Sequence, residues 1–476
     1  MNAIGTTKPT TRDKALRMNL DAGRYGTFAE IGAGQEVARW FFRVGGAAGT
    51  VAKTISAYDT AVSDALYGPA ERYVSRERLL AMLDREYARL RQQLSVRLGG
   101  RVAFFVFADT VATRSYSRHE DGHGWIGVRF EATPLGDPCD VVLHAYLFDK
   151  DPARQQEAVG VLGVNLLHAA VYDHATPTAL IGSLMDGLER ERVEIDVVTF
   201  SGPAFAGFDG RLASLELVER GYTDAIMLAS DGTVVQPSEV LHKRPILVER
   251  GSFRPPTNAT LDVLESARDR FLQEPDLEGA DPVVLLEMTL RSLTGGDGVD
   301  HCDFLDRAEV LHALGHHVLI SRSQRNFGLV EVLSRYSHSR IGIALGVPML
   351  RAMIDDQYYD DLPGGQLEAI GRFFKNAVKL YVYPTIDDLT SGVIVTAETM
   401  SVPSTMRHLY RHLLENRRIE SLERYDPANL TIRTRDVLAR LARGDSTWEA
   451  SVPADVAKII RERNLFGYRS QGEYHE

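Results

Sequence analysis

The densest chemistry in this chain follows an apolar run near residue 320. In HHVLISRSQRN, Ser321, Arg322, Ser323 and Arg325 come directly after a strand-like stretch. Side chains just beyond a strand's C-terminal end face the crevice where open α/β sheets bind ligands. Two guanidinium groups there would clamp phosphate or carboxylate in bidentate fashion. The competing arrangement is a solvated loop whose arginines pair with nearby acids. A second set is AEIGAGQ, in which Gly32 and Gly34 separate a strand-like run from a helix-like one. Such a turn directs backbone N–H groups at a phosphate or nucleoside, helped by the helix N-terminus. Val37 occupies the place of the third glycine of the dinucleotide fingerprint, so a tight strand–helix turn is the plainer outcome. The third set is RSYSRHEDGHGW, where Arg118, His119 and His123 crowd one turn with Arg114 and Trp125. HEDGH spells the zinc pattern, but that chemistry needs a helix to align its two imidazoles. Gly122, Gly124 and the flanking β-rich runs predict a loop, and hence an anion or nucleotide contact at a hairpin tip.

Other motifs are weaker. GGAAGTVAKT looks like a phosphate loop, yet three residues separate Gly49 from Lys53, and that spacing does not carry the lysine to terminal phosphates. Close packing of small residues is the expectation there. The series DAIMLASDGTV, VLISRS, Lys375 or Lys379, and Asp387-Asp388 follows the order of motifs in haloacid-dehalogenase-like phosphohydrolases. Ala229 stands where their nucleophilic aspartate belongs, so no phospho-enzyme would form. Asp355, Asp356, Asp360 and Asp361 offer oxygen ligands for Mg²⁺ or a solvated surface. Cys139 and Cys302 are too few and too far apart for a disulfide framework or a cysteine zinc site.

The elements that must position these groups read as strands alternating with helices. Helix-like periodicity runs over 35–42 and 75–98, and β-rich runs cover 102–108, 124–132 and 140–148. Strand and helix then alternate from 153 to 383, the signature of a mostly parallel sheet. The expected fold is α/β in two lobes, partly haloacid-dehalogenase-like or Rossmann-like in the second, with a helical C-terminus. Domain boundaries are expected at 1–20 (a flexible arm), 21–200, 201–400 and 401–476, with a hinge in LARGDSTWEASVPADV. The 476 residues carry 65 acidic and 54 basic side chains, a net charge of −11, which argues against general nucleic-acid binding. No apolar run reaches membrane-spanning length, and the first twenty residues lack a secretory core. A cytoplasmic location is expected.

Four segments, YGTFAEIGAGQEVARWFFRVGGAAGTVAKTISAYD, FFVFADTVATRSYS, QPSEVLHKRPILVERGSFRP and DDLPGGQLEAIGRFFKNAVKLYVYP, carry a further signal. Through them nearly the whole chain resembles a bacterial family whose members are described as nicotinamide or nicotinate mononucleotide adenylyltransferases, or as TonB-dependent receptors. The receptor description implies a β-barrel. The adenylyltransferase description implies a His-x-Gly-His element early and an Ile-Ser-Ser-Thr-x-x-Arg element late. The nearest text here is His312 to His316, one residue longer, followed at once by Ile320 to Arg325. The resulting expectation is a protein handling a nucleotide or small phosphorylated metabolite, nucleotidyl-transferase-like, with Mg²⁺ as a possible helper and self-association into a homo-oligomer. A non-catalytic oligomeric scaffold or regulatory protein on the same fold is the alternative, with helix 75–98 and the helical C-terminus making partner contacts.

Overall fold

The computed structural model describes residues 8–114, 121–277, 279–295, 298–387 and 392–468. Two compact units divide at Thr223/Asp224, later than the boundary expected near 200. Helix Gly210–Arg220 packs on the last strand of the first sheet and so belongs with it. The flexible arm is also corrected. Thr11–Leu20 is a helix, started by a reciprocal cap between Thr10 and Asp13. It buries Ala15 and Met18 in the core, and the buried Lys14 ammonium donates to Asn165 (2.9 Å) and Asp186 (2.8 Å).

The first unit holds β1 (Arg24–Ile31), β2 (Val51–Ile55), β3 (Ala103–Ala112), β4 (Gly122–Glu131), β5 (Pro138–Leu147) and β6 (Val193–Ser201). Their order is β2-β1-β3-β4-β5-β6. The first three are parallel and the rest antiparallel. β2 is therefore a strand where close helix packing was expected. Alternation along each strand sends Phe28, Phe107, Val128 and Leu143 to one face. There helices Glu36–Val44 and Pro152–Tyr172 cover them. Helix Arg76–Leu98 covers the other face, seating Leu79 and Leu83 over Gly127.

The second unit contains β7 (Ala225–Leu228), β8 (Val234–Val235), β9 (Ile246–Arg250), β10 (Val283–Thr289), the small hairpin β11 (Thr294–Gly295) with β12 (Gly298–Val299), β13 (His317–Ser321), β14 (Ile341–Gly346), β15 (Val378–Tyr383), the hairpin β16 (Thr385–Ile386) with β17 (Ile394–Val395), and β18 (Ile419–Ser421). Its main sheet is ordered β18-β15-β14-β9-β10-β13-β7-β8. From β18 to β13 every neighbour is parallel, and β7 and β8 form an antiparallel edge. Successive parallel strands run outward from β9 in one direction and then from β14 in the other. Helix Asn258–Phe271 packs on Leu247, Ala344 and Tyr381 of one face. Helices Asn326–Tyr336 and Gly365–Phe373 cover Val248, Leu319 and Ile343 of the opposite face.

The C-terminal region is mostly helical and belongs to this unit rather than standing alone. β18 joins the sheet, and the expected hinge is fixed by Trp448, which is fully buried against residues including Val310 and Ile460. Among the described residues no helix is long and apolar enough to cross a membrane.

Candidate functional site

The serines and arginines after β13 sit at the C-terminal edge of the parallel sheet, as their sequence position implied, but most are already engaged. The Ser321 hydroxyl is buried and donates to Glu287 at the end of β10 (2.5 Å). Arg250, ending β9, grips the same carboxylate through Nε (2.6 Å) and a second nitrogen (3.1 Å). Its guanidinium also donates to the carbonyls of Ser323 (2.9 Å) and Gln324 (3.2 Å). Three strand ends are thus tied by one saturated charge network, and Glu287 is fully buried. Arg325 pairs with Asp361 and lies among the rings of Phe327, Tyr358 and Tyr359, with centroids 5.7–5.9 Å away. Arg322 is exposed. Its backbone N–H donates to the Asp224 carbonyl (2.9 Å), and no ion pair of its guanidinium forms among the described residues.

On the opposite face of the same sheet edge the situation reverses. Glu249, one residue before Arg250, points with Leu247 toward helix Asn258–Phe271 and pairs in register with Ala344 of β14. It is 8% exposed, and its Oε2 has no hydrogen-bond partner among the described residues. Burial without compensation pushes its carboxyl well above the usual carboxylate range. The loop that follows is held in place. Buried Arg307 donates to the Ser252 carbonyl (3.0 Å) and to that of Ser292 (3.1 Å), and Arg254 pairs with Asp303 (2.5 Å). Thr257 and Thr260 then cap the helix reciprocally. Sequence reading passed over this place, because Ile246–Arg250 shows only a three-residue apolar run between Pro245 and Glu249.

In the first unit the Gly32–Gly34 turn does connect β1 to a helix. Gly32 has φ +95°, and a Cβ there would lie 1.8 Å from the Val111 carbonyl oxygen, so this position requires glycine. The helix N-terminus holds an internal anion: Val37 and Ala38 donate their N–H groups to the two oxygens of Glu30 (2.9 and 3.1 Å). Glu30 stands in register with Asp109 of β3, which accepts from the Ile31 N–H (3.2 Å) and leaves Oδ2 unpartnered among the described residues. Desolvation raises Glu30 to about 7. Asp109 is raised as well, by burial and then by the Glu30 charge. Two buried carboxyls this close favour holding a proton between them.

His123 lies inside β4 rather than in a loop. Its Nδ1 is 3.2 Å from His144 Nε2, and His144 Nδ1 is 2.6 Å from Asp196 Oδ1. A carboxylate accepts, so His144 donates to Asp196 from Nδ1. The pairing of β5 with β6 shifts register beside His144, and Asp196 is the residue passed over. Arg118 and His119 lie outside the described residues.

The remaining motifs do not converge. Asp231 is in the exposed turn between β7 and β8, bonded to Thr233 (2.6 and 2.9 Å). β7 runs antiparallel to both of its neighbours, β13 and β8, outside the parallel strands, so the haloacid-dehalogenase-like placement is not realised. Lys379 is buried against Glu274 and Glu420, and Asp387 pairs with Arg351 (2.9 Å). Asp388 lies outside the described residues. Lys53 of β2 pairs with the buried Glu86. Among the described residues no group of three or more His, Cys, Asp or Glu side chains is arranged to hold a metal ion.

Fold and site together define a mixed α/β protein whose second sheet is largely parallel. No protein-family model matches the chain, and no curated protein matches it. Solved structures do. The competence/damage-inducible protein CihA of Agrobacterium tumefaciens is similar over 33% of this chain and 94% of its own, at 19% identity and TM-score 0.26. A CinA-superfamily protein of Enterobacter cloacae matches over 36% and 98%, at 14% identity and TM-score 0.26. A Vibrio parahaemolyticus protein described as a nicotinate-nucleotide adenylyltransferase matches over 47% and 95%, at 12% identity and TM-score 0.20. At these scores the chemistry has to be read from the residues themselves.

Proposed function

We propose that the chain binds a nucleotide or phosphorylated metabolite in the second unit, at the crevice between the C-terminal ends of β9 and β14, as a nucleotidyl-transferase-like enzyme. The observation that carries this reading is the strand order. Numbered along the chain, the parallel strands are arranged 3-2-1-4-5-6, the Rossmann order, and it reverses between β9 and β14. In open α/β sheets ligands bind where the order reverses, because the loops from the two central strands part there and leave a crevice. Two features support the same place, the loop held by Arg307 and the 14-residue helix that follows it. Arg322, whose guanidinium forms no ion pair among the described residues, stands two strands away along the same C-terminal edge of the sheet. A cation at that edge would neutralise the anionic group of such a ligand.

Hydrogen exchange on the whole chain tests this, with ATP and Mg²⁺, nicotinamide mononucleotide and NAD as probes. Protection over 251–261 and 346–353 is expected with at least one of them. Protection confined to 32–38 or 121–125 would move the site to the first unit. A flat response to every probe would favour the scaffold reading, which analytical ultracentrifugation would then take up.

A further inference from the structure

We propose that Glu249 is the group of the β9/β14 crevice that meets the ligand directly, taking a hydrogen bond from a neutral donor, a ribose hydroxyl or an exocyclic amine of a nucleoside. This rests on the reading of the crevice above and specifies what it recognises.

Three observations lead there. Glu249 is more than nine-tenths buried, and Oε2 is enclosed without a partner among the described residues. Buried carboxyls elsewhere in this unit are furnished with donors: Glu287 receives Arg250 and Ser321, and Glu274 receives Lys379 and Tyr381. Glu249 is the exception, and it stands at the point where the strand order reverses. Its partner in register on β14, the buried Ala344, offers no donor, since its side chain is a single methyl group. A protein that needed only to fill this position would place an apolar side chain there, because an unpaired buried acid lowers stability.

The chemistry of the group selects the ligand end. A carboxyl oxygen accepts, and an ionised phosphate has no proton to donate to it, so the nucleoside portion turns inward and the phosphate outward. Hydroxyl and amine donors are separated by the probes: adenosine monophosphate carries both, inosine monophosphate lacks the exocyclic amine, and 2′-deoxyadenosine monophosphate lacks one hydroxyl.

Titration calorimetry on the full chain tests the assignment, using these three nucleotides and inorganic phosphate against the unsubstituted protein, Glu249→Gln and Glu249→Met. Nucleotide affinity is expected to fall about tenfold or more in Glu249→Met and by less in Glu249→Gln, whose amide oxygen still accepts, with phosphate unchanged and the melting temperature of the ligand-free protein raised in Glu249→Met. Equal nucleotide affinity in all three proteins would overturn the role of Glu249 and leave the crevice reading standing; a water satisfying Oε2 would produce that result. A lower melting temperature in Glu249→Met would also overturn it, by showing the carboxyl to be bonded within the fold. Absence of binding by the unsubstituted protein would overturn the crevice reading, and this assignment with it.

Discussion

Glu249 and Glu287 end neighbouring strands of one sheet, yet they face opposite ways and live under opposite rules. Glu287 is held by two nitrogens of Arg250 and by the Ser321 hydroxyl. Glu249 has an enclosed oxygen with no donor among the described residues. A saturated buried charge network locks strand ends together, and removing one member leaves the others uncompensated. An unsaturated buried carboxyl holds nothing in place. It lowers the stability of the free protein, which makes sense where a ligand supplies the missing bond. The contrast separates what holds this sheet edge together from what it offers to a partner.

The largest effect should come from the saturated side. Glu287→Ala strands the guanidinium of Arg250 and the Ser321 hydroxyl, and is expected to cost about 3–5 kcal/mol, read by urea denaturation. A loss no larger than that of an exposed substitution would break the comparison at its firmer end. Glu249→Met should move the other way, gaining about 1–3 kcal/mol in the same assay without ligand.

Glu30 in the first unit is an intermediate case. It has two backbone donors, yet burial, and to a smaller degree the nearby Glu36 charge, raises its carboxyl from the ordinary 4.5 to about 7. The native state therefore holds a proton that the unfolded chain releases at lower pH. The associated stability is present below pH ~4.5 and is lost as pH climbs through about 7, on the order of 3 kcal/mol. Glu30→Gln keeps an acceptor for the helix N–H groups and should flatten that decline. Chemical denaturation between pH 5 and pH 8 reads it, and an unchanged slope would mean that Glu30 ionises freely beside Asp109.

The alternation of strands and helices was legible in the sequence because long amphipathic and β-rich runs announce themselves. Residues 75–98 show helical spacing, and the structure begins that helix at Arg76 with Ser75 as its cap. The runs in β3 to β5 were equally plain. Of the strands that were not seen, β9 and β2 stand beside the groups discussed above. β9 has its apolar core cut to Ile246–Val248 by Glu249 and Arg250, whose burial depends on the neighbouring strands and helix and so has no local signature. β2 carries Lys53 mid-strand, paired to Glu86 from a distant helix. The strand end at Ser321 was legible along the chain. Which of its side chains were engaged was hidden, because Arg250 and Glu287 approach Ser321 from strands 71 and 34 residues away in sequence.

Arg325 and Arg322 bring the comparison to its finest scale. They stand three residues apart after one strand, and sequence alone gives no reason to prefer either. Arg325 lies against Phe327, Tyr358 and Tyr359, and its acid partner Asp361 is largely exposed. Solvent weakens that ion pair, so Arg325→Ala should cost only about 1 kcal/mol, most of it from the aromatic contacts. Arg322→Ala should change stability by less than ~0.5 kcal/mol, since its guanidinium makes no bond among the described residues. Its effect should appear in binding instead: affinity for ATP with Mg²⁺ should fall while affinity for adenosine stays as it was, because a cation at the sheet edge meets the phosphate and not the nucleoside. Equal losses for the two ligands would place Arg322 against the nucleoside. No loss for either would leave the anionic end of the ligand to another part of the crevice, and would separate the edge after β13 from the site between β9 and β14.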